Sequence, residues 1–367
     1  KLTPFTFINV HPTFLFRYSV YAKAANQEDN KEVRMTFRKD FMTLKERRDE
    51  LCCLIEKTLL PLIDNDYVLW GLPYHSNIGD ILIWEGEENL LYKTGYKCLG
   101  RCSQLTCRFP KLPENVIILL EGGGDFGDVW RKVQEFRLEV IKRYPNNKII
   151  IFPESVHYTD KKTLSADADI FGKHSNIIVC VRDNLSYELL TAYFKNRILL
   201  VPDMAFCIPV ASLTPFRLPV QNKILLLKRN DKELGAFNVP TDVEMSNLDT
   251  GDWPSMENST LTIKLLHFFS LCRSFSSNGI LRYLFFSFFC FLEDRFSYYV
   301  LKPYLLRVGV NFVSKYKLIY TTRLHVLILS VILEKKVSFW DNSYGKNSTF
   351  YETWLSDLDE VQMIGKH

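Results

Sequence analysis

Asn115-Val116-Ile117-Ile118-Leu119-Leu120-Glu121-Gly122-Gly123-Gly124-Asp125 is a short, unbroken apolar run that empties into three glycines between two acids. Such a run predicts a parallel strand over 115–120, buried on both faces. Three glycines directly after a strand mean that the backbone there must approach something closely, and a helix is expected from Asp128. The same grammar repeats on either side. Residues 67–72 read as a buried strand that runs into Asn77-Ile78-Gly79-Asp80, with a helix from about residue 81. Asp80 is placed to cap that helix or to act on a substrate. Residues 148–152 form another strand, ending in Pro153-Glu154-Ser155-Val156-His157. A strand over 176–181 leads into Arg182-Asp183-Asn184, where Asp183 or Asn184 caps a helix over 187–194. Residues 197–201 close the series ahead of Asp203. Strands alternating with helices imply an α/β fold with a parallel sheet. Its ligands sit beyond the C-terminal strand ends.

The remainder of the chain has a different texture. An amphipathic helix is expected over 41–60, before Pro61. A new strand over 223–227 follows the loop 213–220 and sets the expected division: an N-terminal arm over 1–40, a first Rossmann-like domain over 41–220 and a second over 221–367. Residues 228–260 are acidic and mixed, a long loop with some helix. The aromatic-rich segment 261–315 predicts helices packed on a second sheet. Its most apolar part, 265–292, is broken by Arg273 and Arg282, and its longest clean run is about half a bilayer span. It reads as buried or surface-packed helix, with membrane contact as the minority reading. Strands over 317–320 and 337–340 come next, with a last helix over 349–358 crossing back towards the first domain.

The first of those strands delivers Tyr320-Thr321-Thr322-Arg323-Leu324-His325 to a helix start. A guanidinium and an imidazole at a helix N-terminus make a ready anion site. The second reaches Asp341-Asn342-Ser343-Tyr344-Gly345-Lys346-Asn347, a polar turn carrying a lysine. Arg323, His325 and Lys346 therefore read as holders of a small, doubly anionic donor. Arg182 is either a further anion ligand or a structural partner of Asp183 or Asp203. The glycine spacing after residue 120 is neither G-x-G-x-x-G nor a Walker loop, which argues against a nucleotide and leaves a sugar or carboxylate pocket.

Composition narrows the classes. At 367 residues the chain can bury one large core or two ordinary ones. Its hydrophobic fraction of 47% and charged fraction of 24% are globular, and a net charge of +4 without a basic run argues against nucleic acid. The chain begins at Lys1, so an upstream tag, signal or anchor is expected to have been removed. Cys98, Cys102 and Cys107 lack a nearby fourth ligand for zinc. Free thiols are the default for the nine cysteines, and a disulfide within that loop is the alternative in an oxidising compartment. Sequons at Asn184, Asn258 and Asn347 are usable only in a secretory lumen. No metal and no cofactor is expected.

In order and spacing, these turns resemble the polysaccharide pyruvyl transferase family, over residues of about 67 to 355. The resemblance rests on Asn77-Ile78-Gly79-Asp80, Gly122-Gly123-Gly124-Asp125, Pro153-Glu154-Ser155, Arg182-Asp183-Asn184-Leu185-Ser186, Asp203, Arg323-Leu324-His325 and the turn 341–347. It implies two Rossmann-like domains facing each other across a cleft, the arrangement called GT-B. It implies phosphoenolpyruvate as donor, a hexose of a glycan or lipid-linked sugar as acceptor, and a cyclic pyruvate ketal as product. The absent start and the sequons add a similarity to yeast Golgi enzymes that cap terminal β-galactose, and hence to a Golgi lumen. Bacterial capsule enzymes share the same turns and would put the chain in the bacterial cytoplasm.

Carried over to this sequence, the donor would be held by Arg323, Leu324, His325, Arg182 and Lys346. The acceptor would meet Asn77, Gly79, Asp80, Gly123, Gly124 and Asp125. His325 is the first candidate for acid–base work, because an imidazole ordinarily titrates near neutrality. Asp80, Glu154 and His157 follow on the acceptor side. One departure stands out: family members often have glycine after Arg-Leu-His, where this chain has Val326, which is expected to narrow the pocket. Two other readings remain, a nucleotide-sugar glycosyltransferase on the same scaffold and a glycan-binding protein without turnover. The sequence does not set the oligomeric state.

Overall fold

The computed structural model describes residues 42–231, 233–238, 245–274 and 280–365. The expected N-terminal arm over 1–40 lies outside them. The described chain is a mixed α/β structure with two parallel sheets. The first contains β1 (Tyr67–Trp70), β2 (Cys98–Cys102), β3 (Ile117–Leu120), β4 (Gly123–Gly127), β5 (Ile149–His157), β6 (Ile177–Val181) and β7 (Arg197–Leu200). Its order is β2-β1-β3-β5-β6-β7, with β4 also paired to β5. The second contains β8 (Gln221–Leu227), β9 (Leu248–Gly251), β10 (Tyr316–Thr321), β11 (Val337–Phe339) and β12 (Val361–Met363), in the order β12-β11-β10-β8-β9. Every pairing is parallel. β1, β3 and β6 are buried at every position, as continuous apolar runs covered on both faces should be.

One apolar core runs through both sheets' helical layers. The helix Leu324–Ile332 is buried along its whole length. It packs with the helices Leu44–Leu59, Ile78–Tyr92 and Lys302–Ser314. Val326 belongs to this core and lines neither cavity described below, so it does not narrow the pocket. The helix Leu44–Leu59 opens on a reciprocal capping box, Thr43 with Glu46. The helix Lys346–Trp354 packs on the first-sheet side, where Trp354 Nε1 donates to the Arg182 carbonyl over 2.7 Å.

Three expectations need correction, and one alternative falls away. The helix after β1 starts at Ile78, and its cap is Asn77, whose side-chain oxygen accepts from Gly79 N–H. Asp80 is therefore free of capping. β5 does not end at Phe152 but continues through Pro153 to His157. It tolerates the proline because its register with β6 shifts between Ile151 and Glu154, a bulge where no ladder N–H is missed. The glycine stretch is not a bare turn: Gly123–Gly127 is β4, laid along that extension, and the next helix begins at Arg131. All nine cysteines are free thiols, so the loop disulfide is not formed. Of the three sequons, the one at Asn347 is closed. Its amide is buried and donates to the carbonyls of Thr322 and Trp340.

Candidate active site

Because all strands of each sheet are parallel, their C-terminal ends share an edge, and the polar turns collect there. At the end of β10 the two threonines are structural. Thr321 Oγ1 donates to the Leu227 carbonyl at 2.9 Å, and Thr322 Oγ1 accepts from Arg229 N–H at 2.9 Å. They tie β10 to β8 and bring Arg229 and Arg323 to one place. Arg323 forks onto Asp252, with contacts of 2.5 and 2.6 Å, and lies 3.6 Å from Asp231. Arg229 pairs with Asp231 and Glu233, each at 2.7 Å.

The lysine turn is pinned to the same edge. Asp341 Oδ1 accepts from Asn347 N–H at 3.0 Å and Ser348 N–H at 3.2 Å, opening the helix that carries Lys346. Asn342 Oδ1 accepts from Lys346 N–H at 2.7 Å. Lys346 Nζ then stands 3.9 Å from Glu233. Burial opposes ionisation of the Glu233 carboxyl, but Lys346 and Arg229 outweigh it and hold it down to about 2. Burial also draws the Lys346 ammonium below its ordinary range.

From the first sheet, Arg182 at the end of β6 is fully buried. Its Nη1 meets Asp203 at 2.5 Å and its Nε donates to Ser155 Oγ at 3.0 Å, while Nη2 has no hydrogen-bond partner among the described residues. Asp203 Oδ2 is 3.3 Å from His325 Nε2. Burial would raise the Asp203 carboxyl, but Arg182 and His325 overcome it and keep it well below the carboxylate range. Arg182, Asp203 and His325 thus form a connected set in which a carboxylate orients the imidazole. Two glycines make room for this set. A Cβ on Gly79 would lie 2.6 Å from His325 Nδ1. A Cβ on Gly124 would lie 1.9 Å from Lys346 Nζ and 2.9 Å from Arg182 Nη2. Buried ion pairs are weak sources of stability, since each ion loses several kcal/mol of hydration. Their concentration at one edge makes that edge the candidate site.

A cavity of about 420 Å³ opens over this edge. Of the residues singled out in the sequence, Asn77, Asp80, Gly124, Asp125, Arg323, Leu324, His325 and Lys346 line it. A second cavity of about 200 Å³ adjoins it, sharing His75, Ser76, Asp80 and Asp125, and Gly123 lines that one. Gly79, Arg182, Glu154 and His157 lie in neither wall. Glu154 is fully buried and bonded to Arg137. The His157 ring sits against Tyr344, 4.6 Å between centroids.

Residues that sequence reasoning passed over complete the walls: Arg229, Asp231 and Glu233 in the larger cavity, His75 in both, and Glu121 in the smaller. Asp252 lies behind Arg323. Several directly follow strands, so the strand-end rule reaches them once β9 is recognised. Glu121 is buried and its Oε1 has no partner. Nearby Glu87 accepts from Gly122 N–H at 2.9 Å, and its other oxygen is unpartnered. Burial, reinforced by neighbouring carboxyls, pushes both well above the ordinary range. Burial thus favours the neutral form of the Glu121 carboxyl.

Residues 77–344 match the protein family described as polysaccharide pyruvyl transferase. A Bacillus subtilis protein with the provisional name pyruvyl transferase EpsO is 30% identical over 90% of this chain and 96% of its own length. Pyruvyl transferase 1 of Schizosaccharomyces pombe is 26% identical over 81% of this chain and 72% of its own. A crystal structure of the uncharacterized Klebsiella pneumoniae protein KP1_0663 aligns with a TM-score of 0.54 at 19% identity, over 88% of this chain and all of that one. That last likeness is one of fold.

Proposed function

Since this chain belongs to the polysaccharide pyruvyl transferase family, we propose that it moves pyruvate from phosphoenolpyruvate to a hexose of a glycan, β-galactose in the first instance, as a cyclic ketal with release of phosphate. The larger cavity takes the donor and the smaller one the sugar. The observation that carries this reading is the gathering of Lys346, Arg323 and Arg229 around the larger cavity, with Arg182 Nη2 buried behind Gly124. Lys346, whose Nζ is 3.9 Å from Glu233, suits a phosphate or carboxylate in that cavity. Arg323 and Arg229, now tied to Asp252 and Asp231, stand ready to share a second anionic group.

The chemistry follows from these placements. The methylene carbon of the donor takes a proton and becomes the methyl group, and a sugar hydroxyl attacks the adjacent carbon while giving up its own proton. Phosphate leaves, and a second hydroxyl closes the ketal. His325, oriented by Asp203, is the acid–base group on the donor side. Asp80 takes the sugar's proton, and protonated Glu121 donates a hydrogen bond or a proton on the acceptor side. The two sheets would form two lobes, 41–220 and 221–367, facing across the cleft in the GT-B manner. Free thiols and the closed Asn347 sequon favour a reducing compartment such as the bacterial cytoplasm over the Golgi lumen.

The test is phosphate release from phosphoenolpyruvate with a panel of β-galactosides and other hexosides. Release that requires one sugar and vanishes in Arg323→Ala and His325→Ala is expected. No release with any sugar, alongside turnover of a nucleotide sugar, would transfer the function to a glycosyltransferase.

A further inference from the structure

The helices Leu261–Ser274 and Ile280–Phe296 pack together beside the smaller cavity. The inward side of the pair is mixed, with Ile263, Leu266 and Cys290 buried in it beside charged groups. Glu293 is buried against Arg273 at 2.9 Å, and Asp294 accepts from Thr106 Oγ1 at 2.7 Å. The outward side is apolar. Leu261, Leu265, Phe268 and Leu271 follow one another at helical spacing on the first helix. Phe285, Phe288 and Phe291, with Leu284, do the same on the second, each between 46% and 59% exposed. Among the described residues of these helices the exposed charges are Lys264 and Arg295, both basic. Arg295 lies over the Phe291 ring at 5.2 Å and the exposed Tyr299 ring at 5.7 Å.

We propose that this helix pair is a docking surface for an anionic membrane. An apolar face with aromatic residues and a purely basic rim matches acyl chains beneath negative headgroups. No helix among the described residues is long and apolar enough to cross a bilayer, so the pair lies on the surface. A second copy of the chain fits less well. A two-fold contact through this face would set Lys264 and Arg295 against their own like charges. The chain's own residues 1–41 fit no better, with seven Lys and Arg against four Asp and Glu. The first helix walls the smaller cavity with Leu266, His267, Ser270 and Arg273. A sugar on a lipid carrier would therefore reach the acceptor site from the membrane side. That use of the surface rests on the proposed function; the docking does not.

The test is flotation of the full chain with vesicles of phosphatidylcholine, with and without phosphatidylglycerol, beside phosphate release with a soluble sugar. The native chain is expected to float with the anionic vesicles. The pair Phe285→Ser and Phe288→Ser should weaken this by about tenfold or more, and Lys264→Glu with Arg295→Glu should remove the dependence on anionic lipid. Both pairs should keep the thermal transition and the soluble reaction of the native chain. A native chain that floats with neither vesicle, or variants that float like it, would overturn the proposal. So would a native dimer that the serine pair turns into a monomer, because the face would then join two copies. Loss of the soluble reaction in the native chain would count against the proposed function and leave the docking result standing.

Discussion

The two adjoining cavities handle charge in opposite ways. Around the larger one, three carboxylates are paired with cations: Asp252 with Arg323, Asp231 with Arg229, Glu233 with Lys346. Asp231 and Glu233 are held below the ordinary carboxylate range. Beneath the smaller one, Glu87 and Glu121 have no cation partner among the described residues, and burial raises both carboxyls well above that range. The strand edge is shared, so the difference arises from which turns reach each side. The second sheet brings arginines and a lysine on long side chains. The end of β3 brings an acid directly before glycines, into a buried position without a cation. The proposed function assigns the donor's anion to the first side, where it would displace a carboxylate from a guanidinium, and the sugar's hydroxyls to the second, where a carboxyl would bond them.

The strongest way to break this comparison is to remove the main cation of the donor side. Arg323→Ala should cut kcat/KM for phosphoenolpyruvate by about a thousandfold, read as phosphate release, and leave Asp252 with an unpaired charge. Comparable activity in the variant would show that the anion is held elsewhere. A finer probe is Gly124→Ala, whose methyl group would displace Lys346 Nζ and crowd Arg182 Nη2. A loss of roughly ten- to a hundredfold is expected in kcat/KM for the donor, with the thermal transition nearly unchanged. If the acceptor KM moved instead, the roles of the two cavities would be reversed.

The smallest effect is on stability. The Glu121 carboxyl titrates higher in the folded chain than when unfolded. Above the unfolded value of about 4.3 the unfolded chain has lost a proton that the folded chain retains, so stability falls as pH rises. Glu121→Gln should remove part of that slope. Its melting temperature should exceed the native one above neutrality, and the gap should close towards about pH 4. A gap constant with pH would mean that Glu121 is ionised in the fold. The same variant should slow turnover by about tenfold or more.

Most of the first sheet was legible because its strands are unbroken apolar runs with polar stops. The helix after β1, the cap at Asp183 and the position of the lysine turn followed from local chemistry. β2, β9 and β12 were not legible, being short edge strands in mixed sequence. Neither was the extension of β5, since Pro153 ordinarily ends a strand and only its bulge allows otherwise. At the site, the sequence singled out the residues that line the walls at strand ends, such as Lys346 and Asp125. It could not show that Asp252 clamps Arg323 across 71 residues, or that Gly79 makes space for His325 and not for a ligand. Pairings of that range depend on the order of strands within the sheet, which local patterns do not encode.

The division of labour between the cavities is tested most directly by calorimetric titration of phosphoenolpyruvate into the native chain, Arg323→Ala and Glu121→Gln, without any sugar. Binding to the native chain and to Glu121→Gln with similar affinity, and its loss in Arg323→Ala, is the predicted result. Equal binding to all three proteins, or a loss confined to Glu121→Gln, would contradict the assignment of the anion to the cation-rich side.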